Sequence, residues 1–229
     1  MRINRYLAES GCCSRRKADQ LIAEGRVMVN GTLAELGTQV EDGSRVEVDG
    51  KPVGEKQEKI YILLNKPRGV ECTADSGTVN NVVAYIGIPE RIYPVGRLDK
   101  ESEGMLFLTN DGDFADFIMR AANHHEKEYE VRVDHPVNSD FIRAMGSGVD
   151  LEGRMTRPCK VIQTGTDRFT IILTQGMNRQ IRRMCEVLGY RVRVLRRVRI
   201  LNMTAGKLNT GQWRHLTLRE VESLYLHGK

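Results

Sequence analysis

The sequence predicts an α+β protein of two domains. A small N-terminal α/β domain covers residues 1–55, and a larger domain with a mostly antiparallel sheet covers 59–229. Three observations carry this reading. The 229 residues exceed a typical single domain by about half. Residues 51–58 (KPVGEKQE) are polar with Pro and Gly, and read as a linker. Beyond them, strand and helix patterns alternate irregularly, which suits α+β better than a doubly wound fold.

The elements follow in order. Ile3, Tyr6 and Leu7 have helical spacing, and Gly11 is a helix stop. Ser14 caps a second helix over residues 15–24, which Gly25 ends. Val27 and Val29 alternate into a hairpin turn at Asn30-Gly31, and Val46 and Val48 into another at Asp49-Gly50. Residues 60–64 read as an apolar strand ended by Asn65-Lys66-Pro67-Arg68-Gly69. Residues 105–108 form a second, followed by Asn110-Asp111-Gly112. Residues 128–133 and 169–173 alternate as half-buried strands, and 141–145 and 181–188 have helical spacing. A last helix starts at Thr217, with Val221, Leu224 and Tyr225 on one face.

Composition removes several function classes. No segment reaches the roughly 18–20 apolar residues of a membrane span, and the N-terminus lacks the apolar run of a secretory signal. Five cysteines without a Cys-x-x-Cys pair argue against a disulfide framework and a zinc ribbon, so a cytoplasmic protein is expected. Gly146-Ser147-Gly148 with Gly153 is neither a dinucleotide fingerprint nor a nucleophile elbow and reads as a turn. No Walker phosphate loop is present, and His124-His125-Glu126 are adjacent rather than spaced for one metal. No metal site is expected.

Basic charge is concentrated. Residues 177–199 hold eight arginines against Glu186 alone, a local excess larger than the +5 of the whole chain. Arginine's planar donor fork suits phosphate and base edges, although a charge run is also what a solvated face looks like. Arg15, Arg16 and Lys17 open the second helix, where cations oppose the helix dipole. Beside the helical N–H groups they read as a phosphate seat or as a solvated helix start. Through residue 58 the N-terminal domain balances nine basic against ten acidic residues, so any nucleic-acid footprint is one face of it.

Two segments carry resemblances. Residues 2–50, with "SRRKAD", "GRVMVNG" and the closing "VEVDG", resemble an S4-type RNA-binding domain, which implies RNA contacts through Arg15, Arg16 and Lys17. The loop "VGRLDKESEGMLFLTN" resembles the catalytic loop of pseudouridine synthases. "LLNKPRG" at 63–69, "EKEYEVRV" at 126–133 and "GMNRQIRRMCEVLGY" at 176–190 match the same family in the same order. The appended S4-like domain points to its RsuA branch. On residue patterns alone Asp99 would be a surface aspartate, Arg182 a surface arginine and Tyr129 a core tyrosine.

The resemblance implies an isomerase that breaks the N1–C1′ bond of an RNA uridine and rejoins the ring through C5. Asp99 is then the nucleophile, attacking C1′ or helping to remove the 2′ proton. Cleavage of that bond develops positive character at C1′, where a carboxylate is the usual partner. Arg182 is the cation paired with it. On the helix, Ile181, Met184, Cys185 and Leu188 form the apolar stripe, while Arg179, Arg182, Arg183 and Glu186 form another that can face a cleft. Tyr129 lies against the uracil and takes the C5 proton, Leu173 is a pocket wall, and Arg97 fills the space of the extruded base. Asn178, Arg179 and Arg183 complete the substrate-binding set. Flipping is required because the exchange cannot happen inside a stacked helix.

No cofactor is expected, since the base stays bound and is reused. The implied partner is structured RNA: large-subunit ribosomal RNA, with a transfer-RNA anticodon uridine as an alternative target. A monomer is expected. Some relatives carry a long basic C-terminal tail; this chain ends at Lys229, so binding through such a tail is not expected.

Overall fold

The computed structural model describes residues 1–54, 57–120 and 124–228. It divides into two compact units, residues 1–59 with 89–91 and residues 60–88 with 92–229. Among the described residues no helix is long and apolar enough to cross a membrane.

The N-terminal unit contains α1 (Ile3–Glu9), α2 (Arg15–Ala23), β1 (Val27–Val29), β2 (Thr32–Leu33), β3 (Val46–Val48) and β4 (Lys51–Pro52). The Ser14 hydroxyl accepts from the Lys17 amide at 3.2 Å, satisfying one orphan N–H of α2. Asn30 and Gly31, then Asp49 and Gly50, adopt left-handed backbone, the pairing that two-residue hairpins require. The four strands run in the order β2-β1-β3-β4. Ile3, Leu7, Ala18, Leu21, Ile22 and Val27 close a core beneath them. Lys51 and Pro52, read from sequence as linker, pair with β3 instead, because the Asp49-Gly50 turn folds them back. Residues 55 and 56 of that linker lie outside the described residues.

The larger unit comprises β5 (Tyr61–Lys66), α3 (Val82–Ile86), β6 (Tyr93–Val95), β7 (Glu103–Thr109), α4 (Gly112–Met119), β8 (Lys127–Val133) and α5 (Ser139–Ser147). It continues with β9 (Lys160–Gly165), β10 (Arg168–Leu173), α6 (Gln180–Val187), β11 (Val192–Ile200), β12 (Met203–Thr204), β13 (Trp213–His215) and α7 (Leu218–His227). The main sheet runs β13-β5-β7-β11-β8-β10-β9. Every pairing described is antiparallel except β7 with β11.

Alternate residues of β5 and β7 feed two cores. Tyr61, Leu63, Met105 and Phe107 pack under α4 and α7, while Ile62, Leu64, Leu106 and Leu108 pack against α3. Burial on both faces explains why these strands are unbroken apolar runs. The third core joins β8 and β10 to α5 and α6 through Val131, Phe169, Ile171, Phe141, Met145 and Met184. Thr217 forms a capping box with Glu220 at the start of α7.

Two local readings are corrected. Asn65 and Lys66, expected to end the first strand, belong to β5 and are fully buried. Their polar ends reach backbone carbonyls: Asn65 Nδ2 donates to Leu208 at 2.9 Å and Lys66 Nζ to Pro67 at 2.8 Å. Gly146 and Ser147, read as a turn, complete α5, where the Ser147 hydroxyl donates to the Arg143 carbonyl at 2.9 Å.

Gly104 fixes the parallel seam. Its φ is +107°, and a Cβ there would meet the Arg197 amide nitrogen at 2.7 Å and the Arg197 carbonyl still more closely. A side chain would have to push β11 off β7. Gly104→Ala is expected to cost about 3 kcal/mol, from backbone strain and overpacking. A thermal melt followed by circular dichroism should show Tm lower by roughly 6–12 °C.

Candidate active site

Asp99 lies on the loop between β6 and β7, and its neighbours pin that loop from several sides. The Leu98 amide donates to Cys72 Sγ at 3.3 Å, and the Gly69 amide donates to the Lys100 carbonyl at 2.9 Å. The Ser102 amide donates to the Asp99 carbonyl at 2.9 Å, closing a tight turn around the carboxylate-bearing residue. Lys66 Nζ adds a hydrogen bond to the Lys100 carbonyl at 3.3 Å. Burial pushes the Lys66 ammonium pKa down and the Cys72 thiol pKa up, so both favour their neutral forms more than usual.

Arg182 comes from α6, 83 residues away in sequence. Its Nε donates to Asp99 Oδ2 at 3.3 Å and its Nη2 to the Ser102 hydroxyl at 3.0 Å. Ser102 is buried. One guanidinium therefore grips the carboxylate and the loop that carries it. Arg179 Nη1 stands 3.9 Å from the same Asp99 oxygen. Arg179 is the residue before α6 and has left-handed backbone, φ 48°, an uncommon conformation for a side chain of this size.

Asp99 opens onto a cavity of about 690 Å³. Arg97, Tyr129, Leu173, Asn178 and Arg179 line it with Asp99. Of the candidate residues, Arg182 stands behind Asp99 rather than on the wall. Arg183 does not line the cavity: its Nη2 pairs with Glu152 at 3.1 Å. Arg182 and Arg183, neighbours on one helical stripe in the sequence, part at their ends: Arg182 reaches Asp99 and Arg183 reaches Glu152. Arg15, Arg16 and Lys17 are exposed in the first turn of α2, in the other unit. Residues 121–123, which precede the 126–133 motif, lie outside the described residues.

Sequence reasoning passed over Ser102, Lys127, Gln175 and Arg197 as individual site residues. Lys127, Gln175 and Arg197 line the cavity. Lys127 was signalled by its place two residues before Tyr129 on one strand face. Burial first, and then the charge of Arg197, pushes the Lys127 pKa down to about 8. Among the described residues no group of three His, Cys, Asp or Glu side chains is placed to hold a metal ion.

The left-handed backbone at Arg179 costs stability that glycine would not. Arg179→Gly is therefore expected to melt at or above the wild-type temperature while losing activity. A clear fall in Tm would mean that the arginine serves the fold rather than the site.

Comparison with known proteins follows the same division of the chain. Residues 60–187 match the RNA pseudouridylate synthase family, and residues 1–46 match the S4 domain. The chain is 46% identical to the dual-specificity RNA pseudouridine synthase RluF of Escherichia coli K12 over 227 residues, 98% of this chain and 78% of that protein. It is 38% identical to ribosomal large subunit pseudouridine synthase B of Bacillus subtilis over 240 residues, 100% of this chain and 98% of the relative. A crystal structure of a pseudouridylate synthase superposes with a TM-score of 0.72 at 27% identity, covering 98% of this chain and 99% of that one. With the family match spanning more than half of its length and relatives of this identity along nearly all of it, the chain belongs to the RNA pseudouridylate synthases, RNA isomerases, and carries an S4 domain at its N-terminus.

Proposed function

We propose that this enzyme isomerises a uridine of large-subunit ribosomal RNA to pseudouridine in the cytoplasm, as a monomer and without metal or organic cofactor. The observation that carries the reading is the Asp99 carboxylate, held at 3.3 Å by Arg182 and open to a cavity that Tyr129 and Leu173 also line. The chemistry needs a charged carboxylate fixed beside C1′, and a positioned guanidinium supplies both charge and orientation.

Asp99 acts first, by attack at C1′ or by taking the 2′ proton. The electron pair of the N1–C1′ bond leaves with the uracil. The ring turns and C5 bonds to C1′, which breaks the Asp99–C1′ bond or, on the other route, returns the 2′ proton from Asp99 to C2′. The C5 proton then departs and N1 regains a proton, so the product is an isomer. Tyr129 faces the base and takes the C5 proton. The target must leave its stack, at a cost of a few kcal/mol. Arg97, exposed on the loop two residues before Asp99, occupies the vacated space. Arg15, Arg16 and Lys17 of the S4 domain contact RNA phosphates, which position without reading sequence.

The test is tritium release from 5-³H-uridine RNA, with unmodified ribosomal RNA and transfer RNA in separate arms. Wild type should release tritium from ribosomal RNA, and Asp99→Asn should release none while binding RNA as tightly. Release by Asp99→Asn would remove the assigned nucleophile; binding without release by wild type would make the protein an RNA-binding factor. Release from transfer RNA would extend the substrate class.

Ser102 is a positioning residue under this reading. Ser102→Ala leaves an arginine donor unpaired, and kcat is expected to fall about 10- to 100-fold with RNA Kd unchanged. Ser102→Thr, which keeps the hydroxyl, should restore most of it; equal loss in both variants would point to packing instead.

A further inference from the structure

The floor of the cavity carries two cations that the reading above leaves without a task. β8 and β11 pair so that Arg197 is opposite Tyr129 and Ile200 opposite Lys127. Directly opposed residues share a sheet face, as do Lys127 and Tyr129, two apart on one strand. All four line the cavity. On the same pair of strands, Arg199 donates to Glu128 at 2.7 Å and to Glu126 at 2.9 Å, and its charge is neutralised. Among the described residues the cavity-side cations have no such carboxylates. Arg197, 4% exposed, uses Nε for the Met105 carbonyl at 2.7 Å, and its buried Nη2 has no hydrogen-bond partner among the described residues. Lys127 Nζ donates to the His125 carbonyl at 3.2 Å, which leaves part of its three-proton donor capacity free. Gln175 Nε2, from another cavity-lining residue, is likewise buried without a partner among the described residues.

Burying cations without counter-charge is costly, and unpaired donors add to that cost. Such a site suits an anionic acceptor that is present for only part of the reaction cycle. The isomerisation generates one. When the N1–C1′ bond breaks, its electron pair spreads over N1, O2 and O4 of the uracil, and this anion must stay in the cavity while it turns. Asp99 is itself an anion, and both cations nearest to it, Arg182 and Arg179, face its carboxylate.

We propose that Lys127 and Arg197 form the seat of the detached uracil, donating to its carbonyl oxygens as negative charge develops on them. The inference rests on the proposed uridine isomerisation and assigns the leaving group's charge to named residues. When C5 rejoins C1′ and N1 is protonated the ring is neutral again, its hold on the cations weakens, and the product can leave.

The experiment compares uridine with 5-fluorouridine at the target position of the same RNA. Fluorine withdraws electron density, so 5-fluorouracil is the more stable anion and needs less help in leaving. Single-turnover loss of the target nucleoside is followed by nuclease digestion and mass spectrometry for wild type, Lys127→Met, Arg197→Met and Arg197→Lys. Circular dichroism melts identify any variant that does not fold, and Arg197→Lys keeps a cation should Arg197→Met fail.

Removing one preorganised donor to a developing oxyanion typically costs about 100- to 1,000-fold, so Lys127→Met is expected to slow uridine by about 100-fold. The same variant should slow 5-fluorouridine by less than about 10-fold, because the better leaving group needs the donor less. RNA Kd should stay unchanged. Equal losses on both nucleosides would overturn the proposal. So would weakened RNA binding at unchanged rate, which would make the pair a phosphate site. Wild type that converts uridine yet leaves 5-fluorouridine intact would also count against it. Wild type inactive on uridine in every RNA would instead defeat the isomerase reading, before any variant is compared.

Discussion

The parallel contact between β7 and β11 determines where everything else can be. It is the one parallel pairing described in a sheet that is otherwise antiparallel, with Arg196 opposite Glu103 and Arg197 opposite Gly104. Parallel strands begin at the same end of a sheet, so the segments leading into them arrive side by side. The segment before β7 is the Asp99 loop, and the segment before β11 includes α6 with Arg182. Two residues 83 positions apart thereby meet at 3.3 Å. Gly104 permits this by letting the Arg197 backbone approach where a Cβ would stand. The same seam joins the β5–β7 cores to the core around β8 and β10, so one glycine couples fold and site.

Rigidity around the carboxylate comes from many small contacts. Lys66, Gly69 and Cys72 hold the loop backbone from one side, and Ser102 holds Arg182 from the other. A buried ammonium satisfied by carbonyls, rather than by a carboxylate, orients the chain without competing for Arg182. Preorganised donors avoid reorganisation at the moment of reaction. The left-handed turn at Arg179 has the same logic: strain borne by the folded chain keeps a second guanidinium 3.9 Å from Asp99.

Features encoded within a few residues were legible in the sequence. Ser14, Asn30-Gly31, Asp49-Gly50 and Thr217 each act through a local hydrogen bond or a local φ, and each ends or begins an element as read. Asn65 and Lys66 misled because their polar groups find carbonyls from distant segments, including Leu208, which no local pattern reveals. Gly146-Ser147 misled because helix ends tolerate the same residues as turns. Asp99, Tyr129 and Arg182 are candidates only through resemblance, since a lone aspartate among thirty acidic residues carries no signal of its own. The distinction between Arg182 and Arg183, and the place of Arg197, depend on helix phase and strand register. Both are set by long-range packing.

The arginine-rich stretch that first suggested a nucleic-acid surface divides by depth and by strand face. Arg191 and Arg193 are exposed, whereas Arg199 is paired with Glu128 of β8 and with Glu126 just before it. Arg197 is turned into the cavity, with one donor unused. An isomerase that keeps its leaving group faces a conflict that a hydrolase escapes by releasing the fragment. On the proposed mechanism its carboxylate acts at C1′ while a newly formed anion remains within reach. The proposed assignment resolves it by separating the cations: Arg179 and Arg182 stand beside Asp99, and Lys127 and Arg197 are left to answer the base. The two sets belong to different elements, α6 with its N-terminal approach and the paired strands β8 and β11. Under that assignment the charge on the base rises and falls during the ring's turn without loosening the grip on Asp99.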